Sequence, residues 1–340
     1  MAKTVKMADI AKEVGVSVVT VSKALTGQKG VSETMRSRII KLADEMGYVQ
    51  PSAASKSENN GRNIGIIVHD KHFTKYNSFY MQMYQLLSSE LGSQGDFAML
   101  EIITHDMEKD LIAPKVIKEK KVQALILQGE FSSEYCDYIK GIMGDLPVLY
   151  LDFADESGRD VSVISDSFYG SYYMTNYLFE HGHKDIAFVG SPLMTTSITD
   201  RYLGYVKSMM EHGVPVRPDW QIEDRDKTTG IIYEPDKLPL PLELPTAFVC
   251  NCDLAAGVLI RRLEKEGYSI PDDFSVVGYD NYIYPGACDV EITTYEVDMP
   301  VMVQNAVGYM NALLKGESVK TGMHIVTGHL VEKSSVKALG

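Results

Sequence analysis

The sequence predicts an all-α helix-turn-helix head followed by an α/β body of two doubly wound parallel-sheet lobes. Three observations carry that expectation. Residues 7–24 set two short stretches of helical apolar spacing on either side of Gly15. From Asn63 onward, continuous apolar strands alternate with amphipathic helices, as in parallel sheets covered on both faces. The alternation starts afresh after Asp166, so two similar lobes with a cleft between them follow.

In the head, Ile10, Ala11 and Val14 give one short helix, and Gly15 breaks it. Ser17 supplies a hydroxyl where a second helix starts, satisfying amide donors left free there. That helix turns Val21 and Leu25 inward and leaves Val18, Val19, Ser22 and Lys23 on another face. Two such helices across a tight turn can place the second in the DNA major groove. A plain three-helix bundle without a DNA role has the same apolar spacing. A third helix spans 32–46, capped by Ser32, with Ile39, Leu42, Ala43 and Met46 inward. Gly47 and Tyr48 close the head, and the small polar residues 52–62 read as a linker.

In the body, 63–68 is a buried strand and 78–94 a helix with Phe79, Met83, Leu87 and Leu91 on one face. Strand 97–103, a helix near 108–120, strand 123–128, a helix around Tyr135 and strand 147–152 complete the first run. The second run holds helices at 167–181, 200–212 and 253–266 between strands near 186–190, 247–250 and 274–280. A strand over 292–298, a helix at 299–315 and a last strand near 323–331 end the chain. Domains follow as head 1–48, linker 49–62 and body 63–340. Lobe one takes about 63–163 and 297–322, and lobe two about 166–290 and 326–340.

The 340 residues carry a net charge of -13, unevenly spread. Residues 1–62 hold 10 Lys+Arg against 6 Asp+Glu, a balance of +4; the remainder holds 23 against 40, a balance of -17. A basic head on an acidic body suits a phosphate-binding module joined to a sensor. No apolar run reaches the roughly 18 residues of a membrane span, and the N-terminus has no apolar signal-peptide core, so a cytoplasmic location is expected. The cysteines Cys136, Cys250, Cys252 and Cys288 then read as reduced thiols. Cys250-x-Cys252 has the wrong spacing for a zinc pair or redox motif.

The head resembles that of the LacI/GalR family of transcriptional regulators. Its pattern D-[IV]-A-x-x-x-G-V-S-x-x-T-V-S-[RK] is matched at Asp9, Ile10, Ala11, Gly15, Val16, Ser17, Thr20, Val21, Ser22 and Lys23. By that resemblance Val18, Val19 and Lys23 face the bases, within a DNA-binding set of Ser17, Val18, Val19, Thr20, Ser22 and Lys23, with Lys56 in the linker. Valines contact thymine methyls, and a lysine reaches guanine O6 and N7 or a phosphate. Lys6 stands where the family has a capping threonine, so a ragged first helix is expected. Ser55 and Ser57 replace the arginine and the wedge leucine of the family's hinge helix, which predicts weaker kinking of the DNA.

The body resembles the family's sensor, a fold shared with periplasmic sugar-binding proteins. The matching stretches include G-H-K-D-I-A-F-V-G, D-R-Y-L-G-Y and F-S-V-V-G-Y-D. The resemblance implies three crossings between lobes, near 163–166, 290–297 and 322–326. It also implies an effector site at strand ends in the cleft, where an arginine fork binds oxygens and a carboxylate takes hydroxyls or ring nitrogens. The implied site residues are His69, Phe79, Tyr80, Asp152, Ser197, Arg201, Asp226 and Asp280. Arg201 and Asp280 each have an alternative as a surface or cross-lobe salt-bridge partner, and Phe79 has one as core. Asp253 reads as a helix cap. Between Asp226 and Pro245, repeated prolines predict an extended loop at the cleft where the family has a helix.

His181 and His183 fit the family's Gly-His turn better than a metal pair, and no metal or cofactor is expected. No nucleophile-elbow, zinc-protease, phosphate-loop or dinucleotide motif is present, so catalysis has no motif behind it. The expected function is an effector-responsive regulator, most simply a repressor, homodimeric on a near-palindromic DNA operator and sensing a sugar-like metabolite. Nucleobases are the other ligand class this scaffold takes. The rival is a binding protein or enzyme on the same lobes, with a head that does not bind DNA.

Overall fold

The computed structural model of the protein describes residues 6–25, 30–46, 61–73, 79–154, 157–282 and 286–339. The chain divides into two units, Met1–Gly61 and Arg62–Gly340.

The first unit is three helices, α1 (Met7–Val14), α2 (Val18–Leu25) and α3 (Glu33–Glu45). Gly15 takes φ 77°, the left-handed value that lets the chain turn between α1 and α2. The ragged start expected for α1 does not occur. Lys6 offers no capping oxygen, but the Asp9 carboxylate accepts the Lys6 amide at 2.7 Å and anchors the first turn. Ser32 caps α3, its Oγ accepting the Met35 amide at 3.4 Å. Ile10, Val21 and Ile39 are fully buried where the helices meet, with Ala11, Ala24 and Ala43 around them. At about 1.5–3 kcal/mol for each large buried aliphatic, this small core carries the unit.

The second unit runs β1 (Asn63–His69), α4 (Phe79–Ser93), β2 (Phe97–Ile103), α5 (His105–Lys109), α6 (Lys115–Lys118), β3 (Ala124–Gln128), α7 (Ser133–Met143), β4 (Val148–Leu151) and β5 (Val161–Ser165). After a first crossing come α8 (Ser167–Glu180), β6 (Ile186–Val189), α9 (Thr196–Glu211), β7 (Gln221–Ile222), β8 (Ala247–Cys250), α10 (Asp253–Lys265), β9 (Ser275–Asp280) and β10 (Thr293–Glu296). Helix α11 (Met299–Leu314) and strands β11 (Gly322–Val326) and β12 (His329–Val331) finish it. One sheet has the order β11-β5-β4-β3-β1-β2 and is parallel throughout. The other has the order β12-β10-β9-β8-β6-β7.

Two details differ from the sequence reading, the last strand and the helix at 108–120. The single last strand is two, because the chain changes sheets at 327–328; with no crossover helix between them, β12 enters antiparallel to β10. The other crossings fall at Asp166 and at 297–298. The helix expected at 108–120 is broken into α5 and α6, since Leu111 takes φ 52° and Pro114 has no amide to continue a helix. Residues 226–245 hold no α-helix, only a tight 3-10 turn at Pro235–Lys237.

Candidate nucleic-acid interface and effector cleft

In the head, Ser17 Oγ accepts the Thr20 amide at 3.1 Å and lies 2.9 Å from Thr20 Oγ1, so both hydroxyls fasten the start of α2. The far end is held by Arg36, whose Nη1 donates to the carbonyls of Lys23 (3.2 Å) and Ala24 (3.0 Å). With Val21 and Ala24 inward, Val18 and Val19 stand 46% and 63% exposed. Ser17 is also exposed, while Thr20, Ser22 and Lys23 are half-buried. Lys56 lies outside the described residues.

In the body, a cavity of about 950 Å³, counting its open mouth, lies between the two sheets' strand ends. Phe79, Tyr80, Asp152, Ser197, Arg201 and Asp280 all line it. Asp152 follows β4 at φ 64° and Asp280 ends β9 at φ 103°, left-handed values that aspartate tolerates and that turn each carboxylate off its sheet. Helix α9 brings Arg201 in. It can lie close to α8 because residue 204 is glycine, where a Cβ would sit 2.1 Å from the Phe168 carbonyl oxygen.

The charges in the cleft are arranged as partly answered pairs. Tyr80 donates its hydroxyl to Asp152 Oδ2 at 2.8 Å. Arg201 Nη1 donates to the Asn251 carbonyl at 2.6 Å, its Nη2 is 3.6 Å from Asp280 Oδ1, and its guanidinium lies over the Tyr279 ring. Its Nε is buried without a hydrogen-bond partner, a vacant donor of the kind a ligand oxygen fills. Burial pushes the Asp280 carboxyl up to about 7, against the pull of Arg201, and raises Asp152 as well. Burial likewise pushes the Cys252 thiol up to about 12, which leaves it a poor nucleophile.

Two expected site residues do not reach the cavity. Asp226 is half-buried, and its Oδ1 accepts the amides of Thr228 (3.0 Å) and Thr229 (2.8 Å), so it serves the turn at the start of the proline-rich loop. His69 is buried beside Glu108 and Asp70 rather than in the cleft lining. Asp253 is not the cap of α10, which begins after Cys252. Its carboxylate takes the Thr294 hydroxyl (2.8 Å) and the Tyr282 amide (3.0 Å), joining β10 to the segment after β9.

Sequence reasoning missed Lys71, His72, Arg225 and Asn251, which also line the cleft. Lys71 Nζ donates to the Glu130 carbonyl at 3.0 Å. Arg225 forks onto Asp224 (3.0 and 2.7 Å), which also accepts from Asn251 Nδ2 at 2.8 Å. The run Asp224-Arg225-Asp226 is a visible signal, but its spacing does not say which member enters the cleft: Asp224 is buried as the partner of Arg225, and Asp226 holds the turn.

A family model described as bacterial regulatory proteins, lacI family, matches residues 6–51, and one described as a periplasmic binding protein-like domain matches residues 175–336. The chain belongs to the LacI family. An HTH-type transcriptional repressor, PurR, of Vibrio campbellii is 27% identical over 333 residues, 97% of this chain and 98% of that protein. Among solved structures, the lac repressor dimer bound to operator and the anti-inducer ONPF has a TM-score of 0.67 at 21% identity, covering 99% of this chain and 100% of that one. A complex of the transcriptional regulator CelR with cellobiose has a TM-score of 0.67 at 19% identity, covering 97% and 99%. These two share the fold. As a LacI-family member the protein is a DNA-binding transcriptional regulator with an effector-binding domain, not an enzyme. No helix among the described residues is long and apolar enough to cross a membrane.

Proposed function

We propose that the protein is a repressor that binds a near-palindromic operator as a homodimer, each head laying α2 in one half-site. A two-fold dimer presents two identical reading helices, which is why a palindromic site matches it. A small polar, sugar-like metabolite binds between the lobes and changes how tightly the operator is held. The coupling runs both ways: an effector that weakens operator binding is itself bound less tightly by the DNA complex.

The observation that carries the operator half of this reading is the exposed Val18–Val19 pair on a helix pinned at both ends. The effector half rests on the cleft's mixture of carboxylate acceptors (Asp152, Asp280) and arginine donors (Arg201, Arg225), framed by Phe79 and Ile198. Vicinal hydroxyls both donate and accept, and a sugar ring has an apolar face for the aromatic side chain. The cellobiose in the CelR complex is such a ligand.

A melting-temperature screen across sugars, nucleobases and nucleosides, followed by gel shift with genomic fragments, tests both halves. A ligand at 100 times its Kd stabilises by about 2.7 kcal/mol, enough to be seen in a melt. A sugar that stabilises wild type but not Arg201→Ala, and that alters the gel shift, supports the reading. Stabilisation by nucleobases alone overturns the sugar assignment. A head that shifts no fragment overturns the operator assignment.

A further inference from the structure

Outside the cleft lining, three metal-ligating side chains converge at the strand ends of the first sheet. His69 ends β1, and His105 and Glu108 lie three apart on α5, on one face of the helix. One ligand atom from each of the three lies within 4.8 Å of the others. His69 Nε2 is 3.2 Å from Glu108 Oε2, and its Nδ1 is 2.9 Å from Asp70 Oδ1 and 3.0 Å from the Lys71 amide. Glu108 is aimed by its other oxygen, Oε1, which accepts the Ser132 amide at 2.6 Å. A bare histidine–carboxylate hydrogen bond needs only His69 and Glu108. His105 adds a second imidazole, its ring centroid 6.4 Å from that of His69.

We propose that His69, His105 and Glu108 form a three-ligand site for a divalent metal ion of the zinc type, with water in the fourth position. Two imidazoles and one carboxylate are a borderline donor set that suits zinc, whereas magnesium and calcium call for a shell of oxygens. Zinc ligands stand about 2.0–2.2 Å from the metal, so the three atoms must draw together. Exposed His105 is free to make that movement. Without metal, His69 donates its Nε2 proton to Glu108 and accepts at Nδ1 from the Lys71 amide. On binding, Nε2 gives its lone pair to the metal and the ring proton resides on Nδ1, where Asp70 Oδ1 accepts it. A carboxylate behind a metal-bound histidine is the usual second partner that fixes its tautomer.

The test uses the full-length chain without an affinity tag, stripped with a chelator and titrated with Zn²⁺, with Mg²⁺ as the control. One Zn²⁺ per chain by calorimetry, and a melting temperature raised by Zn²⁺ but not by Mg²⁺, are expected. His105→Ala should weaken Zn²⁺ at least tenfold while keeping the metal-free melting temperature, because His105 is exposed. Glu108→Gln should weaken it similarly. Co²⁺ replacing Zn²⁺ should show visible bands without sulfur-to-metal charge transfer. No saturable Zn²⁺ binding, wild-type affinity in His105→Ala, or a thiolate band in the Co²⁺ spectrum each overturns the site.

Discussion

In the head, Val18 and Val19 stand in water on a helix whose opposite face, Val21 and Ala24, is buried. In the cleft the arrangement is reversed: Asp280 and Arg201 are buried and Asp152 is half-buried, and apolar Phe79 and Ile198 frame them. The head's interface is defined by what a small core leaves outside. The cleft's is defined by charges held where their desolvation is only partly answered, so that a polar ligand completes them. The two regions should therefore respond to different perturbations, and those responses can break the contrast.

Salt should separate them most. Operator affinity falls with a log–log slope of about -0.9 per neutralised phosphate, so six to ten contacts cost roughly 10³–10⁵ between 50 and 200 mM salt. The cleft pairs are buried and little screened, so effector affinity should change by less than about twofold over that range. Anisotropy titration with operator, beside calorimetry with the screened effector, measures both. Equal slopes would sink the contrast.

Acidity should act on the cleft. Burial raises the Asp280 carboxyl from its ordinary 3.8 to about 7, with Arg201, Asp152 and Arg225 as its charged neighbours. A raised carboxyl means that the folded state holds the proton more tightly than the unfolded chain. The associated stability is therefore complete below about pH 4 and is lost as pH rises through 7. A shift of this size corresponds to a few kcal/mol by linkage. Asp280→Asn, which cannot ionise, should melt higher than wild type at pH 8, with the gap closing towards pH 5. A gap that is flat with pH would show that Asp280 does not titrate there.

A charge on the reading face comes next. Val19→Glu puts a carboxylate where phosphates and base edges approach, and a base contact is worth about 1–3 kcal/mol, so a tenfold to hundredfold loss of operator affinity is expected. Because Val19 is 63% exposed, the melting temperature should hold within a degree or two. Unchanged operator binding would remove α2 from the interface.

The same contrast explains what could be read from the sequence. The head was legible because its function depends on local spacing: Gly15 must turn, Ser17 must cap, and Val18 and Val19 must fall outside the 3.6-residue stripe of Ile10, Val21 and Leu25. The strands of the lobes were legible through their continuous apolar runs. The cleft was legible only where a strand end carries a carboxylate, as at Asp152 and Asp280. His69 and Asp226 were misplaced because one residue of phase decides which side of a backbone a group takes, and tertiary turns set that phase. Lys71 reaches the cleft, two residues from His69 which does not, through the 3-10 turn at Asp70–His72. The split of β11 from β12 was hidden for a related reason: the change of sheet at 327–328 leaves no mark on hydrophobicity.

The smallest effect should come from a hydrogen-bonded contact between the lobes. Glu130 follows β3 of the first sheet, and its Oε2 accepts the amide of Thr196, the first residue of α9 in the other lobe, at 2.7 Å; its Oε1 is 3.3 Å from Thr196 Oγ1. A carboxylate at the start of a 16-residue helix gains from the free amides and the helix dipole together. Glu130 is half-buried, so solvent discounts that gain to about 1 kcal/mol. Glu130→Gln keeps the size and loses the charge, which favours opening of the lobes. The effector's Kd should then rise about three- to fivefold, with operator affinity in the absence of effector little changed in its salt slope. Calorimetry on the variant measures this. Wild-type affinity there would mean that closure is governed by the cleft pairs alone, with the Glu130–Thr196 contact following closure rather than favouring it.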